Sequence, residues 1–319
     1  MRSDAIRYDW TVDEVFALMT GPLEPLLERA RSVHAEYGAQ DVQKCRLLSV
    51  KTGGCPEDCG YCSQSAHYKT EVKAESMLPT DDVLAAAREA REAGATRFCM
   101  GTAWRQVPEG QKFEEVLKMI RGVRDLGMEA CVTLGMANEA QLKQMAEAGL
   151  TSYNHNLDTS REFYPKIVTT RTYEDRLTTL KAVRSSGVQI CSGGILGMGE
   201  SVRDRAAMLV ELASFNPHPE SVPVNLLVPI EGTPLEGTRP IAFEEFLRAV
   251  ATARILMPES RVRLSAGRNT LSETEQLQCF EVGANSIFVG EKLLTAPNVD
   301  QEEDAALYTK WEGQPASSV

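Results

Sequence analysis

Short β-rich runs alternate with amphipathic helical stretches from residue 47 onward, and the strand–helix unit recurs eight times within roughly 250 residues. The helical stretches open at polar caps and stop at glycine, the punctuation expected of separate helices. Together these features predict an α/β protein: a (β/α)8 TIM-type barrel with an N-terminal helical extension, with a doubly wound open sheet as the other arrangement such alternation allows.

Taken in order, residues 1–40 read as helices packed outside the barrel. Residues 41–296 read as the barrel itself. Its strands are expected at 47–51, 96–101, 129–134, 152–156, 188–193, 221–228, 261–265 and 285–289. Helices are expected at 80–94, 113–127, 138–149, 172–187 and 272–283, the first with Asp81 and Asp82 in its first turn. Residues 297–319 read as a polar, acidic tail, and no linker divides the chain into two domains.

The composition narrows the function. A formal net charge of −11 argues against a nucleic-acid surface, which needs clustered Lys and Arg. No apolar run approaches the ~20 residues of a membrane span. The N-terminus carries Asp4, Asp9, Asp13 and Glu14 and shows no signal or transit peptide. Eight cysteines in such a chain point to reduced thiols and a cytoplasmic location.

Three of those cysteines stand in Gly53-Gly54-Cys55-Pro56-Glu57-Asp58-Cys59-Gly60-Tyr61-Cys62. Closed structural zinc sites and ordinary four-iron clusters take four protein ligands. Three thiolates with no fourth nearby fit an iron–sulfur cluster with one open iron. The spacing also departs from the ferredoxin run, and the glycines and proline mark a tight loop that can wrap a cluster. The bland alternatives are zinc with a distant fourth ligand, His67 being the nearest candidate, and a disulfide.

Cys99, Cys131 and Cys191 fall in three separate expected strands, and Arg263 in a fourth. Side chains alternate across a strand, so each can point into the barrel or out at the helices. Directed inward, they would make a second, four-ligand site deep in the lumen. Taken singly, buried cysteine is a small hydrophobe, but an arginine in a buried strand needs a partner for its charge. Cys45 and Cys279 read as core. Polar groups cluster where barrel active sites sit, at the C-terminal strand ends. Asn154, His155, Asn156 and Asp158 form one such group, equally readable as a turn with a helix cap. The run from Ser192 through Gly193 and Gly194 to Glu200 is glycine-rich and lets a ligand lie against backbone. Asn225 interrupts an apolar strand as a candidate lumen hydrogen-bonder.

With these residues assembled, the chain resembles the radical S-adenosylmethionine enzymes and, among them, the biotin synthase family, over essentially its whole length. Cys55, Cys59 and Cys62, with the aromatic Tyr61, carry the superfamily signature. Cys99, Cys131, Cys191 and Arg263 carry the narrower resemblance. So do the runs 153–160, 191–194, 222–225 and 263–268; Arg161 departs from the proline usual in the family.

The resemblance implies a [4Fe–4S] cluster on the clustered cysteines that binds S-adenosyl-L-methionine and generates a 5′-deoxyadenosyl radical. It implies a [2Fe–2S] cluster on Cys99, Cys131, Cys191 and Arg263 that donates sulfur to dethiobiotin, giving biotin. It further implies that Tyr61, Asn156, Asp158, Gly193, Gly194 and Asn225 lie in the cofactor and substrate site. A reduced flavodoxin- or ferredoxin-type electron donor and a homodimer follow from the same likeness. The rival within the superfamily is a lipoyl-synthase-like sulfur insertase, which would carry a second three-cysteine cluster near the N-terminus, where only Cys45 stands. Rivals of other classes are a non-enzymatic iron–sulfur redox protein and a zinc-binding barrel enzyme.

Overall fold

The computed structural model describes residues 6–312. Two helices come first, α1 (Val12–Thr20) and α2 (Leu23–Tyr37), followed by strand β1 (Gln43–Lys51). The alternation continues with α3 (Thr80–Glu92), β2 (Arg97–Thr102), α4 (Gln111–Asp125), β3 (Glu129–Thr133), α5 (Glu139–Glu147), β4 (Ser152–Asn154) and α6 (Tyr173–Ser185). Next come β5 (Gln189–Cys191), β6 (Gly194–Leu196), α7 (Val202–Ala213), β7 (Ser221–Leu226), α8 (Phe243–Leu256), β8 (Arg261–Leu264), α9 (Glu273–Glu281) and β9 (Ala284–Val289). A hairpin, β10 (Lys292–Leu293) and β11 (Ala296–Pro297), leads to α10 (Gln301–Glu312).

The strands are all parallel in the order β5-β4-β3-β2-β1-β9-β8-β7-β6, and β5 also pairs with β7, which closes the ring. This is the expected barrel, because β5 and β6 are two pieces of one strand position. The run expected at 188–193 breaks there for a steric reason. A Cβ on Gly193 would lie 1.8 Å from the carbonyl oxygen of Pro223, so the chain steps across β7 at that point.

Side-chain parity separates two cores. Phe98, Met100, Ala130 and Val132 point out to the helices and are buried there. Full burial of a side chain such as Phe98 contributes about 1.5–3 kcal/mol. Cys45, Cys99, Cys131 and Phe288 pack together in a separate, inner cluster. Outside, α1 packs on α7 and α2 on α8, so the N-terminal helices brace one flank of the barrel. Helix starts at Thr11, Asn138, Thr172, Ser201 and Ser272 are capping boxes, in which the cap and the residue three further on satisfy each other's backbone N–H.

Three departures from the sequence expectations stand out. Strand β1 begins four residues earlier than expected, since Gln43 and Cys45 turn inward while Lys44 and Arg46 lie outside. Helices α7 and α8 were not anticipated. The expected polar tail is partly structured: α10 docks on α9, the Trp311 ring 5.5 Å from that of Phe280, and its Asp304 takes two hydrogen bonds from buried Arg268, at 2.6 and 3.0 Å. No helix of the described residues is long and apolar enough to cross a membrane.

Candidate active site

The cysteine loop leaves the C-terminal end of β1, where barrel sites assemble. It turns through Gly53 and Gly54 at φ +68° and +65°, and a Cβ on Gly53 would lie 2.5 Å from the Lys73 carbonyl oxygen. Backbone bonds then fold the loop on itself. Cys55 N donates to Gln64 O (2.9 Å), Ala66 N to Cys55 O (2.7 Å) and Cys62 N to Cys59 O (2.9 Å). Gly60 N ties the loop to Ile167 O at 2.9 Å. Cys59 is buried, and Cys55 and Cys62 are half-buried. Burial pushes all three thiols up, that of Cys62 to about 12, so ligation by this loop releases protons. His67, the candidate fourth zinc ligand, is exposed and its Nε2 sits 3.0 Å from Pro56 O, within the loop's own scaffold. Among the described residues no three His, Cys, Asp or Glu side chains gather closely enough to hold a single metal ion.

Below the loop, Cys99, Cys131, Cys191 and Arg263 all point into the lumen and line one cavity of about 260 Å³. Cys131 stands opposite Cys99 across the β2–β3 ladder, and the two pack together. The Arg263 guanidinium donates through Nε to Ser286 Oγ (2.9 Å) and through Nη1 to Cys191 Sγ (3.6 Å). Its Nη2 is buried with no partner, as are Arg97 Nη1 and Ser221 Oγ. Buried donors left unpaired are costly. A deep pocket with three soft sulfurs and spare cationic donors fits an anionic iron–sulfur group. Cys45, expected as ordinary core, is fully buried but belongs to this inner cluster, its Sγ 3.6 Å from Ser286 Oγ. Cys279 sits in the outer, helix-facing core.

The same cavity reaches the mouth, where Tyr61, Cys62, Asn154, Asn156, Asp158 and Asn225 line it. Asp158 holds a left-handed backbone (φ 69°). Its Oδ2 accepts from Tyr61 Oη at 2.7 Å and from Arg176 Nη2, leaving Oδ1 with neither bond. Asn154 reaches Cys191 Sγ with Nδ2 (3.3 Å) and also bonds Asn156 Oδ1 (3.2 Å), which in turn accepts from Gly193 N at 3.1 Å. The hairpin crosses the mouth: residues 293–296 line the cavity, and Thr295 Oγ1 meets Ser63 Oγ at 3.0 Å.

Gly193, Gly194 and Asn225, also expected in the site, are placed as follows. Gly193 and Gly194 do not line this cavity. Their missing side chains let the backbone pass Pro223 and Met208, which is strand and helix packing. Asn225 lines the cavity, yet its amide is committed to backbone, donating to Gly194 O (2.8 Å) and accepting from Ala266 N (3.1 Å).

Arg176, Arg171 and Arg97 were missed in the sequence. Arg176 is buried, donating to Tyr164 Oη (3.0 Å) and Asn156 O (2.8 Å) as well as Asp158. Its signal was available, because it falls on the apolar stripe of α6 with Tyr173, Leu180 and Val183. Arg171 precedes a helix cap and Arg97 opens a strand, and nothing local distinguishes either.

Comparison with known proteins adds to this geometry. Residues 49–212 match the model of the Radical SAM superfamily, and residues 223–314 that of the Biotin and Thiamin Synthesis associated domain. The biotin synthase of Sorangium cellulosum is 59% identical over 312 residues, covering 98% of this chain and 89% of that one. That of Zymomonas mobilis is 59% identical over 303 residues (95% and 90% covered), and that of Ruegeria pomeroyi 59% over 308 (96% and 97%). Among solved structures, methylornithine synthase superposes with a TM-score of 0.77 at 18% identity, covering 96% of this chain and 93% of that one. The FeFe-hydrogenase maturase of Carboxydothermus hydrogenoformans gives 0.79 at 17% identity, covering 94% and 75%. At these identities the structural matches bear on the fold alone.

Proposed function

The chain belongs to the biotin synthase family of radical S-adenosylmethionine enzymes, and on that premise we propose how its own residues serve the conversion of dethiobiotin to biotin. Cys55, Cys59 and Cys62 would hold a [4Fe–4S] cluster that serves S-adenosylmethionine. Cys99, Cys131, Cys191 and Arg263 would hold a [2Fe–2S] cluster. When bound, these groups supply one-electron cleavage of the sulfonium and the sulfur that is inserted.

The remaining work belongs to the protein. The observation that carries the reading is that both cysteine sets open on one narrow cavity, Cys62 at its mouth and the other three thiols within it. Dethiobiotin would lie in this cavity, between the two sets. Asp158 is held rigid by Tyr61 and Arg176, so its Oδ1 is poised to accept a ribose hydroxyl. Asn156 is positioned by Asn154 and Gly193 to orient the substrate. Because its amide is committed to backbone, Asn225 holds the wall in place. The hairpin at 292–297 keeps water off the mouth, which protects a reactive carbon centre from quenching. Arg263 stays protonated under ordinary conditions, so its ligation through nitrogen requires loss of a proton.

The barrel, residues 41–296, is the catalytic unit on this reading. Electrons come from a reduced flavodoxin- or ferredoxin-type donor, and the chain works as a homodimer in the cytoplasm. An anaerobic assay with dethiobiotin, S-adenosylmethionine and reductant, scored for biotin and 5′-deoxyadenosine, tests the function. Reconstituted protein that yields neither product overturns it.

A further inference from the structure

A second loop, Thr169-Thr170-Arg171, is fastened to the cysteine loop along its length. Asp58, between Cys55 and Cys59, accepts from Thr169 N (2.9 Å), Thr170 N (3.1 Å) and Thr170 Oγ1 (3.0 Å), and from Thr169 Oγ1. Glu57 is 2% exposed and takes Thr170 Oγ1 on Oε2. Its other oxygen has no hydrogen bond, though Arg105 Nη1 stands 3.5 Å away. Arg171 completes the set. Its side chain is 8% exposed, its Nε lies 3.9 Å from Glu57 Oε2, and its Nη2 donates to Cys59 Sγ at 3.8 Å. Among the described residues, no other side-chain hydrogen bond reaches Cys55, Cys59 or Cys62 sulfur.

We propose that Arg171, buried beside Glu57, sets the reduction potential of the cluster carried by the cysteine loop. The inference rests on the proposed [4Fe–4S] assignment and goes beyond it. Reduction adds one negative charge to a cluster. A buried cation that donates N–H to a ligand sulfur stabilises that extra charge and makes the potential less negative, since hydrogen bonds to sulfur and local charge are the protein's main levers on such a centre. Burial strengthens the effect, because little water screens it. Glu57 stands 3.9 Å away without a hydrogen bond to the guanidinium, so its part is electrostatic: its own charge partly offsets the cation. Arg171 is thus a positioning residue that acts through Cys59.

The test uses reconstituted, anaerobic holoprotein and reads the midpoint potential by redox titration followed by electron paramagnetic resonance. R171Q is expected to shift the potential to more negative values, and R171K, which keeps the charge but not the planar fork, to shift it less. E57Q removes the offsetting carboxylate and should shift it the other way. R171Q should also lose several-fold in 5′-deoxyadenosine formation with a protein donor, and recover with a strong chemical reductant. An unchanged potential in R171Q overturns the proposal. If R171Q does not retain its cluster, E57Q decides: a shift to less negative values supports the role, and no shift or the opposite one overturns it. Wild-type protein that binds no [4Fe–4S] cluster would instead sink the functional assignment itself.

Discussion

Arg176→Met should be among the costliest single changes in the molecule. The guanidinium and the Asp158 carboxylate are 5% and 2% exposed and directly paired. Removing one member of a buried pair leaves the other charge uncompensated, which costs about 3–5 kcal/mol. Asn156 O also loses its donor at 2.8 Å, and an unsatisfied buried carbonyl adds roughly 1 kcal/mol or more. Met fills much of the vacated volume, so the packing loss is small. The expected total is about 4–6 kcal/mol. Chemical unfolding of the reduced apoprotein, followed by circular dichroism under anaerobic conditions, measures it. The double variant D158N/R176M carries no orphaned charge and should recover about 2 kcal/mol relative to additivity. A loss below about 1 kcal/mol for R176M, or strict additivity in the cycle, would refute the claim that this pair fixes the mouth of the cavity.

Cys59→Ala should abolish cleavage of S-adenosylmethionine, read as 5′-deoxyadenosine. Cys131→Ala should leave that cleavage intact and stop biotin formation; normal biotin output from it would sink the sulfur-donor assignment. Gly193→Ala should destabilise the fold by about 3 kcal/mol or more, because its Cβ would lie 1.8 Å from backbone that cannot move away. Gly237→Ala, with nothing within 4 Å, serves as its near-neutral control in the same unfolding assay. His34, buried and near Arg254 and Arg261, has its pKa pushed down to about 4 from an ordinary 6.5. Between those values the unfolded chain binds a proton that the folded one refuses, so stability falls as pH drops through that window, by about 3 kcal/mol at pH 4. His34→Gln should flatten the stability profile over that range, and an unchanged slope would show that other groups carry it.

Much of the fold was legible because barrels announce themselves by repetition. Caps such as Asn138 and Thr172, and the glycines that follow the helices expected at 138–149 and 172–187, are local signals, and the structure uses them as expected. What escaped depended on partners far along the chain. Helix α8 carries buried Thr252 and Arg254 on its inner side, which blurs its apolar stripe. Arg254 finds its acceptors in the Gly283 and Pro258 carbonyls, one of them 29 residues away, and no sequence window contains both. The segment after Pro297 looked like a tail because Glu302, Glu303 and Asp304 dominate it. Yet Asp304 is drawn inward by Arg268, whose own burial could not be read from its neighbours.

The lumen shows the same limit and also how to pass it. Alternation along a strand left the inward or outward choice open for each cysteine, and only pairing resolves it. In register, Leu47 stands opposite Cys99 and Cys99 opposite Cys131. Asn154 likewise faces Cys191, and Pro223 faces Arg263. Partners across a parallel ladder share a face, so one inward residue fixes its neighbours on both sides. Cys45 is two residues before Leu47 and therefore inward as well, facing Arg97. It looked like ordinary core because the strand was expected to begin only at residue 47, which left Cys45 outside any strand face. Arg97 and Ser221, both with unpartnered buried donors, occupy the same inner face on β2 and β7. The site is thus a property of parity shared around a closed ring, which is why single strands underdetermined it and the closed barrel does not.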